Sequence, residues 1–341
     1  MRILIATDAW RPQVNGVVRT LEQMTAAATL LGASFEFLTP EAFATVPMPT
    51  YAEIPLALPS RREVARRIEA AGADHVHIVT EGPIGWTARA VCLEKGRLFT
   101  TGYHTRFPEY VRARTLIPET WTYELLRRFH APSAAVLAPT ATIRDDLTRR
   151  GFANVRIWTR GVDHARFFPR QGDALGLPRP VFLYVGRVAV EKNLEALLSL
   201  DLPGSIVVVG DGPARASLMR RFPRAHFLGA KFGEALAEIY ASADVFAFPS
   251  LTDTFGVVLL EALASGLPVA AFPAPGPLDV IGDSGAGVLS EDLRAACLAA
   301  LDIPREAARS RADAFSWETS ARQFLGHIEE RREALRVSRT A

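Results

Sequence analysis

The sequence predicts two α/β domains in tandem, each built on a doubly wound, mostly parallel sheet. Three observations lead there. Short β-rich runs recur that are apolar without interruption, as strands covered on both faces are. Helical stretches long enough to serve as crossovers separate them. The alternation stops at FFPRQGDALGLPRP (167–180), a stretch rich in Gly, Pro and charge with no hydrophobic period, and then restarts. A chain of 341 residues, 49% hydrophobic and 22% charged, can bury two cores of roughly 150 to 170 residues each.

In the first half the strands are RILIAT (2–7), FEFLT (35–39), HVHIVT (75–80), LFTTGYH (98–104), AVLAPT (135–140) and VRIWT (155–159). Between them, amphipathic helices are expected over 16–31, 61–71, 83–94 and 118–130. After the linker come VFLYVG (181–186), SIVVVG (205–210), AHFLG (225–229), VFAFPS (245–250) and PVAAFP (268–273), alternating with helices 191–199, 213–221, 233–242 and 256–265. Helices fill the tail, and the last begins near Trp317 and Glu318. The expected domains are 1–168 and 169–316, with 317–341 a helix returning to the first. Open α/β sheets bind ligands at the C-terminal ends of their strands, so a cleft between the two sets of strand ends is the expected site.

Composition excludes several classes. Cys92 and Cys297 are too few for a disulfide framework or a zinc site. No D-x-D motif and no His or Cys cluster with ligand spacing occurs, so no obligatory metal or other cofactor is expected. A net charge of +2 without an aromatic-basic ladder does not suggest nucleic acid. No run of about 20 uncharged apolar residues is present, and MRILIAT is too short for a signal sequence. The expected location is therefore cytoplasmic. The positive excess sits in residues 1–168, with 21 Lys+Arg against 16 Asp+Glu, which leaves room for a local anionic partner such as a membrane surface. Arg outnumbers Lys 36 to 3, so the position of Lys192 is informative.

Chemistry is concentrated at the strand ends of the second half. In VGRVAVEKN, Gly186 closes a strand, and Arg187 and Lys192 can converge on one dianion such as a diphosphate. A Lys at a helix start opposes the helix dipole unless an anion is present. In VVVGDGP, Gly210 and Gly212 allow a tight turn with exposed amides, a weak signal alone. In SLTDTFGVVLLEALASGLPV (250–269), TDTFG is a turn and GVVLLEALAS a helix stopped by Gly266 and Pro268. The amides of Phe255, Gly256, Val257 and Val258 then form an anion-binding helix start. Asp253 reads either as a helix cap or as a ligand group. Glu261, inside an apolar helix, needs donors if buried, and vicinal sugar hydroxyls are suitable ones. Hydroxyls flanking a diphosphate describe a sugar nucleotide.

These stretches, with FSWE in the tail and DAWRPQVNGVVRTL (8–21), HIVTEGPIG (77–85), GYHTRFPEY (102–110) and TRGVD (159–163), resemble the retaining, nucleotide-sugar-dependent glycosyltransferases of the GT-B fold, over essentially the whole chain. The resemblance implies two Rossmann-like domains facing a cleft. It implies that Arg187 and Lys192 bind the donor diphosphate and that Glu261 binds the ribose. Asp253 and the amides after it would hold the transferred sugar, with Asn15 and Gly16 facing the donor and His104 near the reacting carbon. The family usually has Glu where this chain has Asp253, which bears on donor choice. The departing diphosphate would accept the acceptor's proton, and the product would keep the donor's α configuration.

UDP-glucose, UDP-glucuronate and GDP-mannose all satisfy these groups. The first domain selects acceptors in this family. Here Arg112, Arg114, Arg127 and Arg128 are interspersed with Val111, Leu116, Ile117, Trp121, Tyr123, Leu125 and Leu126, which suits an anionic bilayer and equally an ordinary solvated amphipathic helix. HIVTEGPIG and TDTFG look most like the branch that glycosylates diacylglycerol or related lipids, close to the mannosyltransferases. A peripheral glycolipid synthase on the inner face of the cell membrane is therefore expected. The rivals are a mannosyltransferase with a soluble or polysaccharide acceptor, a sugar-nucleotide epimerase of the same fold, and a non-catalytic sensor.

Overall fold

The computed structural model describes residues 1–11, 13, 15–48, 51–115 and 117–340, with backbone only for 51–55, 113–114 and 334–340. Contacts divide the chain into two units, Met1–Thr159 with Trp317–Ala341, and Arg160–Ser316. Residues 160–168, expected in the first domain, group with the second unit because Val162 and Phe167 are buried in its core.

Unit 1 contains β1 (Arg2–Ala6), α1 (Gly16–Leu30), β2 (Ser34–Leu38), β3 (Thr45–Met48), β4 (Tyr51–Ala57), α2 (Arg61–Ala70), β5 (His75–Ile78), α3 (Pro83–Glu94), β6 (Phe99–Gly102), α4 (Phe107–Arg114), α5 (Glu119–His130), β7 (Val136–Ala138), α6 (Ala141–Arg149) and β8 (Val155–Ile157). Its sheet runs β2-β1-β5-β6-β7-β8, parallel throughout. The strand order reverses between β1 and β5, and such a reversal opens a crevice at the strand ends. The antiparallel pair β3–β4 was not expected from the sequence. The final helix, which takes the label α14 in chain order (Trp317–Thr340), closes the face of this sheet. Its Ala321, Phe324 and Ile328 pack with Ile3, Ile5, Leu21, Met24 and Trp158, all buried. The Trp158 indole N–H donates to Ser320 Oγ at 3.0 Å.

Unit 2 contains β9 (Val181–Val185), α7 (Leu194–Leu198), β10 (Ser205–Val209), α8 (Arg215–Arg221), β11 (His226–Gly229), α9 (Gly233–Ser242), β12 (Val245–Phe248), α10 (Val257–Ala264), β13 (Val269–Ala271), α11 (Pro275–Val280), β14 (Gly287–Leu289), α12 (Leu293–Ala300) and α13 (Arg305–Ala312). The parallel order β11-β10-β9-β12-β13-β14 is that of a dinucleotide-binding sheet. Its reversal lies between β9 and β12, and the site groups predicted on VGRVAVEKN and TDTFG follow those two strands. The inner strands β9, β10, β12 and β13 are buried on both faces, by one cluster around Leu183, Tyr240, Phe246 and Leu260 and another around Phe182, Leu197, Val208 and Cys297. That two-sided burial is why their sequences are unbroken apolar runs.

Candidate functional site

The site in unit 2 is built by two loops that fasten to each other. After β9, Tyr184 Oη donates to Arg187 O at 3.0 Å, and a Cβ on Gly186 would stand 2.7 Å from that hydroxyl. Lys192 does not begin a helix, as the sequence suggested. It ends a 3-10 turn, Val190–Lys192, which Asn193 stops by adopting a left-handed conformation (φ 54°). Asn193 Nδ2 donates to Pro249 O at 3.1 Å, and Thr252 Oγ1 donates to Glu191 O at 3.1 Å. These two bonds bring Lys192 Nζ to 2.6 Å from Asp253 Oδ1. The side chains are only 16% and 20% exposed, so water screens the pair weakly. Asp253 Oδ2 is buried with no hydrogen-bond partner among the described residues.

The pairing and the uncapped helix start argue against the cap reading of Asp253. Its carboxylate meets a cation, and α10 has Gly256 (φ 80°) as N-cap with no side-chain cap bond. The first-turn amides of an α-helix lack intrahelical partners, so the start of α10 beside Asp253 keeps donor capacity. Phe255 is buried, and Val257 and Val258 are half-buried. Gly276, at the start of α11, was missed: a Cβ there would fall 2.5 Å from Phe255 O. The only signal was its place in PAPGP.

Glu261 lies one turn into α10, 2% exposed. Tyr240 Oη, from α9, donates to its Oε2 at 3.0 Å. This partner was also missed, since nothing in the local sequence of a buried Tyr names a carboxylate 21 residues away. Gly210 and Gly212 require correction. The Gly210 N–H donates to Gly229 O at 2.9 Å, and the Gly212 N–H donates to Asp211 Oδ1 at 2.8 Å. A Cβ on Gly210 would meet Gly186 O at 1.8 Å, and one on Gly212 would meet Val188 O at 2.4 Å. These glycines let two strand-end loops touch backbone to backbone; the Gly210 amide is engaged by another loop, and the Gly212 amide bonds to the exposed carboxylate of its neighbour.

In unit 1, Asn15 caps α1: its Oδ1 accepts from the amides of Val17 and Val18, both at 3.0 Å. Gly16 is exposed, with nothing within 4 Å of a would-be Cβ. The half-buried His104 ring lies over Gly102, whose Cβ would meet Nε2 at 2.4 Å, and sits edge-on to Trp158 with centroids 5.6 Å apart. Asp8 takes part in this end of the sheet as well. Its Oδ1 accepts from Ile84 N at 2.8 Å, and its Oδ2 accepts from Thr80 Oγ1 at 2.8 Å and Gly85 N at 3.3 Å. Burial pushes its carboxyl above the usual range, opposed by those bonds.

On α5 the interspersed set separates. Tyr123 and Leu126 are core residues, 5% and 1% exposed, while Trp121 is 72% exposed, Leu125 49% and Ile117 46%. Burial, then the bond its hydroxyl donates to Glu109, raises the Tyr123 phenol to about 12. Arg127 and Arg128 both pair with Glu124, at 2.6 and 2.9 Å, and Arg112 is exposed. The Arg114 side chain and Leu116 lie outside the described residues. Among the described residues no three His, Cys, Asp or Glu are placed to hold a metal ion, and no helix is long and apolar enough to cross a membrane.

Two family models match the two units: Glycosyltransferase Family 4 over residues 14–166 and Glycosyl transferases group 1 over residues 179–303. A GDP-mannose-dependent alpha-mannosyltransferase of Mycobacterium tuberculosis is 31% identical, with 96% of each chain covered. The chain belongs to the group 1 glycosyl transferases. An alpha-monoglucosyldiacylglycerol synthase of Streptococcus pneumoniae is 27% identical over 97% of this chain and 85% of its own. A sucrose-phosphate synthase from Thermosynechococcus elongatus shares the fold, with TM-score 0.76 and 19% identity over 98% of this chain and 99% of that one. This glycosyl transferase thus has the GT-B fold, two Rossmann-like halves each with a parallel sheet.

Proposed function

We propose that this glycosyl transferase moves a hexose, with retention of configuration and without an obligatory metal, from a nucleotide-diphosphate sugar to a hydroxyl of a membrane lipid, diacylglycerol being the simplest. The observation that carries the reading is the Lys192–Asp253 pair at 2.6 Å, joined to Arg187 by one loop and to the start of α10 by another. Those loops follow β9 and β12, between which the strand order reverses. A cation, a carboxylate with one buried unpartnered oxygen and a helix start gathered there suit a diphosphate with a sugar beside it.

In this mechanism the acceptor oxygen bonds to the anomeric carbon while the bond from that carbon to the diphosphate breaks. The bonding pair leaves with the diphosphate, and the acceptor's proton passes to a departing diphosphate oxygen. Arg187 and Lys192 stabilise the charge that grows on the leaving group, a fixed electrostatic contribution worth about 2.7–4 kcal/mol per donor in comparable sites. Glu261, held by Tyr240, receives the ribose hydroxyls, and Asp253 receives hydroxyls of the transferred sugar. Asn15 acts by capping α1 and so shaping the loop before Gly16, and Gly16 and His104 are the donor contacts proposed in unit 1.

The name of the Mycobacterium relative makes GDP-mannose the first donor to assay, and that of the Streptococcus relative supports a glucosyl donor and a diacylglycerol acceptor. The lipid reading is supported by exposed Trp121 and Leu125, four residues apart on α5, with Ile117 before them and exposed Arg112 and Arg128 nearby. Removing each such apolar side chain from water is worth about 1.5–3 kcal/mol, and the peripheral location on the inner membrane face rests on that stripe. The test is a donor panel with lipid acceptors in vesicles containing anionic lipid, with and without chelator, read by mass spectrometry and by NMR of the anomeric proton. An α-linked glycolipid formed in chelator is expected. A β linkage, a requirement for metal, or transfer to soluble acceptors alone would each overturn the corresponding part.

A further inference from the structure

We propose that Glu81, anchored through one oxygen by His130, is an acceptor-binding carboxylate of unit 1, and that it takes a hydroxyl next to the one that is glycosylated. The proposal rests on the transferase reading and narrows its acceptor to a headgroup with neighbouring hydroxyls, such as a sugar or polyol carried on a lipid.

Hydrogen bonds fix the His130 ring on both sides. Ser133 Oγ donates to His130 O at 2.7 Å. Thr101 Oγ1 lies 2.8 Å from His130 Nδ1, and on the other side of the ring His130 Nε2 lies 3.2 Å from Glu81 Oε1. His130 is 1% exposed. The rings of Phe129, Tyr103 and Phe152 surround it, with centroids 4.9, 6.2 and 5.7 Å away.

The pair lies at the strand ends of unit 1. Glu81 follows β5, one of the two strands between which the order of the sheet reverses. The register pairs Ile78 with Thr101, so Glu81 and His104 each stand three residues past the last paired position of neighbouring strands. Glu81 Oε2 has no hydrogen-bond partner among the described residues, and the side chain is 16% exposed. Asp8 fixes both flanks of Glu81: it binds Thr80 at 2.8 Å, and a Cβ on Gly82 would stand 2.4 Å from its Cγ. Asp8 and Tyr103 are the titratable groups that feel the charge of Glu81, which adds to the upward push that burial gives each. One oxygen is thus locked and the other open, an arrangement that receives a hydroxyl in a set direction.

The test uses the full chain. In kinetics with a lipid-borne sugar as acceptor, Glu81→Gln should raise the acceptor KM about ten-fold, the loss of one charge-assisted hydrogen bond, while donor KM and donor hydrolysis without acceptor stay within about two-fold. His130→Gln should share that signature, and Glu81→Asp should recover part of it. An unchanged acceptor KM in Glu81→Gln overturns the role. Failure of the wild type to transfer any sugar would overturn the transferase reading and the role with it, whereas transfer with an unchanged acceptor KM in the variant overturns the role alone.

Discussion

Replacing Lys192 with Met keeps most of the stem and deletes the charge. In the ligand-free protein this removes a charge-assisted bond of 2.6 Å and leaves Asp253, 20% exposed, with neither oxygen hydrogen-bonded among the described residues. A bond to a charged group contributes about 1.5–3 kcal/mol, and the residual exposure of both partners argues for the middle of that range, about 2 kcal/mol. For a unit of this size that is a drop of roughly 4–8 °C in its thermal midpoint, readable by calorimetry as a shift of one transition. In Lys192→Met/Asp253→Asn the stranded charge is gone, so at least half of the lost stability should return. Activity should behave differently. If Lys192 also stabilises the leaving diphosphate, both variants should lose about 10²–10³ in kcat. Recovery of stability without recovery of turnover is the expected signature. A double variant as unstable as the single one would refute the pairing argument, and a Lys192→Met enzyme with wild-type kcat would refute the catalytic one.

Three further outcomes follow from the geometry. Gly210→Ala puts a Cβ 1.8 Å from Gly186 O at φ 143°; backbone has to move, and a loss above about 3 kcal/mol should show as failure of unit 2 to unfold cooperatively. Burial above all holds the His75 ring at about 3 against its ordinary 6.5, helped by the nearby Arg332 and Arg97 charges. The unfolded chain therefore binds one more proton between those values, so His75 costs stability as pH falls from 6.5 toward 3, by up to ~1.4 kcal/mol per pH unit; the thermal midpoint of His75→Gln should fall less steeply over that range than that of the wild type, and parallel curves would contradict this. Trp121→Glu with Leu125→Glu should abolish co-sedimentation with anionic vesicles at low salt while leaving the thermal midpoint within about 2 °C, because both side chains are exposed surface.

The parts of the fold legible in the sequence were those that depend on burial along a local stretch. Unbroken apolar runs gave every strand of both parallel sheets except β14, and the helix over 83–94 agrees to the residue. What failed was set by partners distant in the chain. The helix expected over 191–199 is split because Asn193 turns left-handed to reach Pro249. The Asp8 bond to Ile84 spans 76 residues, and no local pattern announces it. The same division holds at the site. Lys192, Asp253 and Glu261 were conspicuous as charges among apolar residues, whereas Tyr240, Gly276 and the Glu81–His130 pair look ordinary until the sheet brings them together. Gly210 and Gly212 were seen as special, but the neighbouring backbone that constrains them is something a single sequence does not display.

The central claim is that the loops after β9 and β12, with Glu261 behind them, hold a nucleoside diphosphate. Titration calorimetry of GDP and UDP against the full chain measures this without any acceptor. The account predicts one site for at least one of the two, with affinity reduced about ten-fold or more in Arg187→Gln and in Glu261→Gln, while both variants keep a folded unit 2 by calorimetry. Wild-type affinity in both variants, or no binding of either diphosphate to the intact protein, would contradict it.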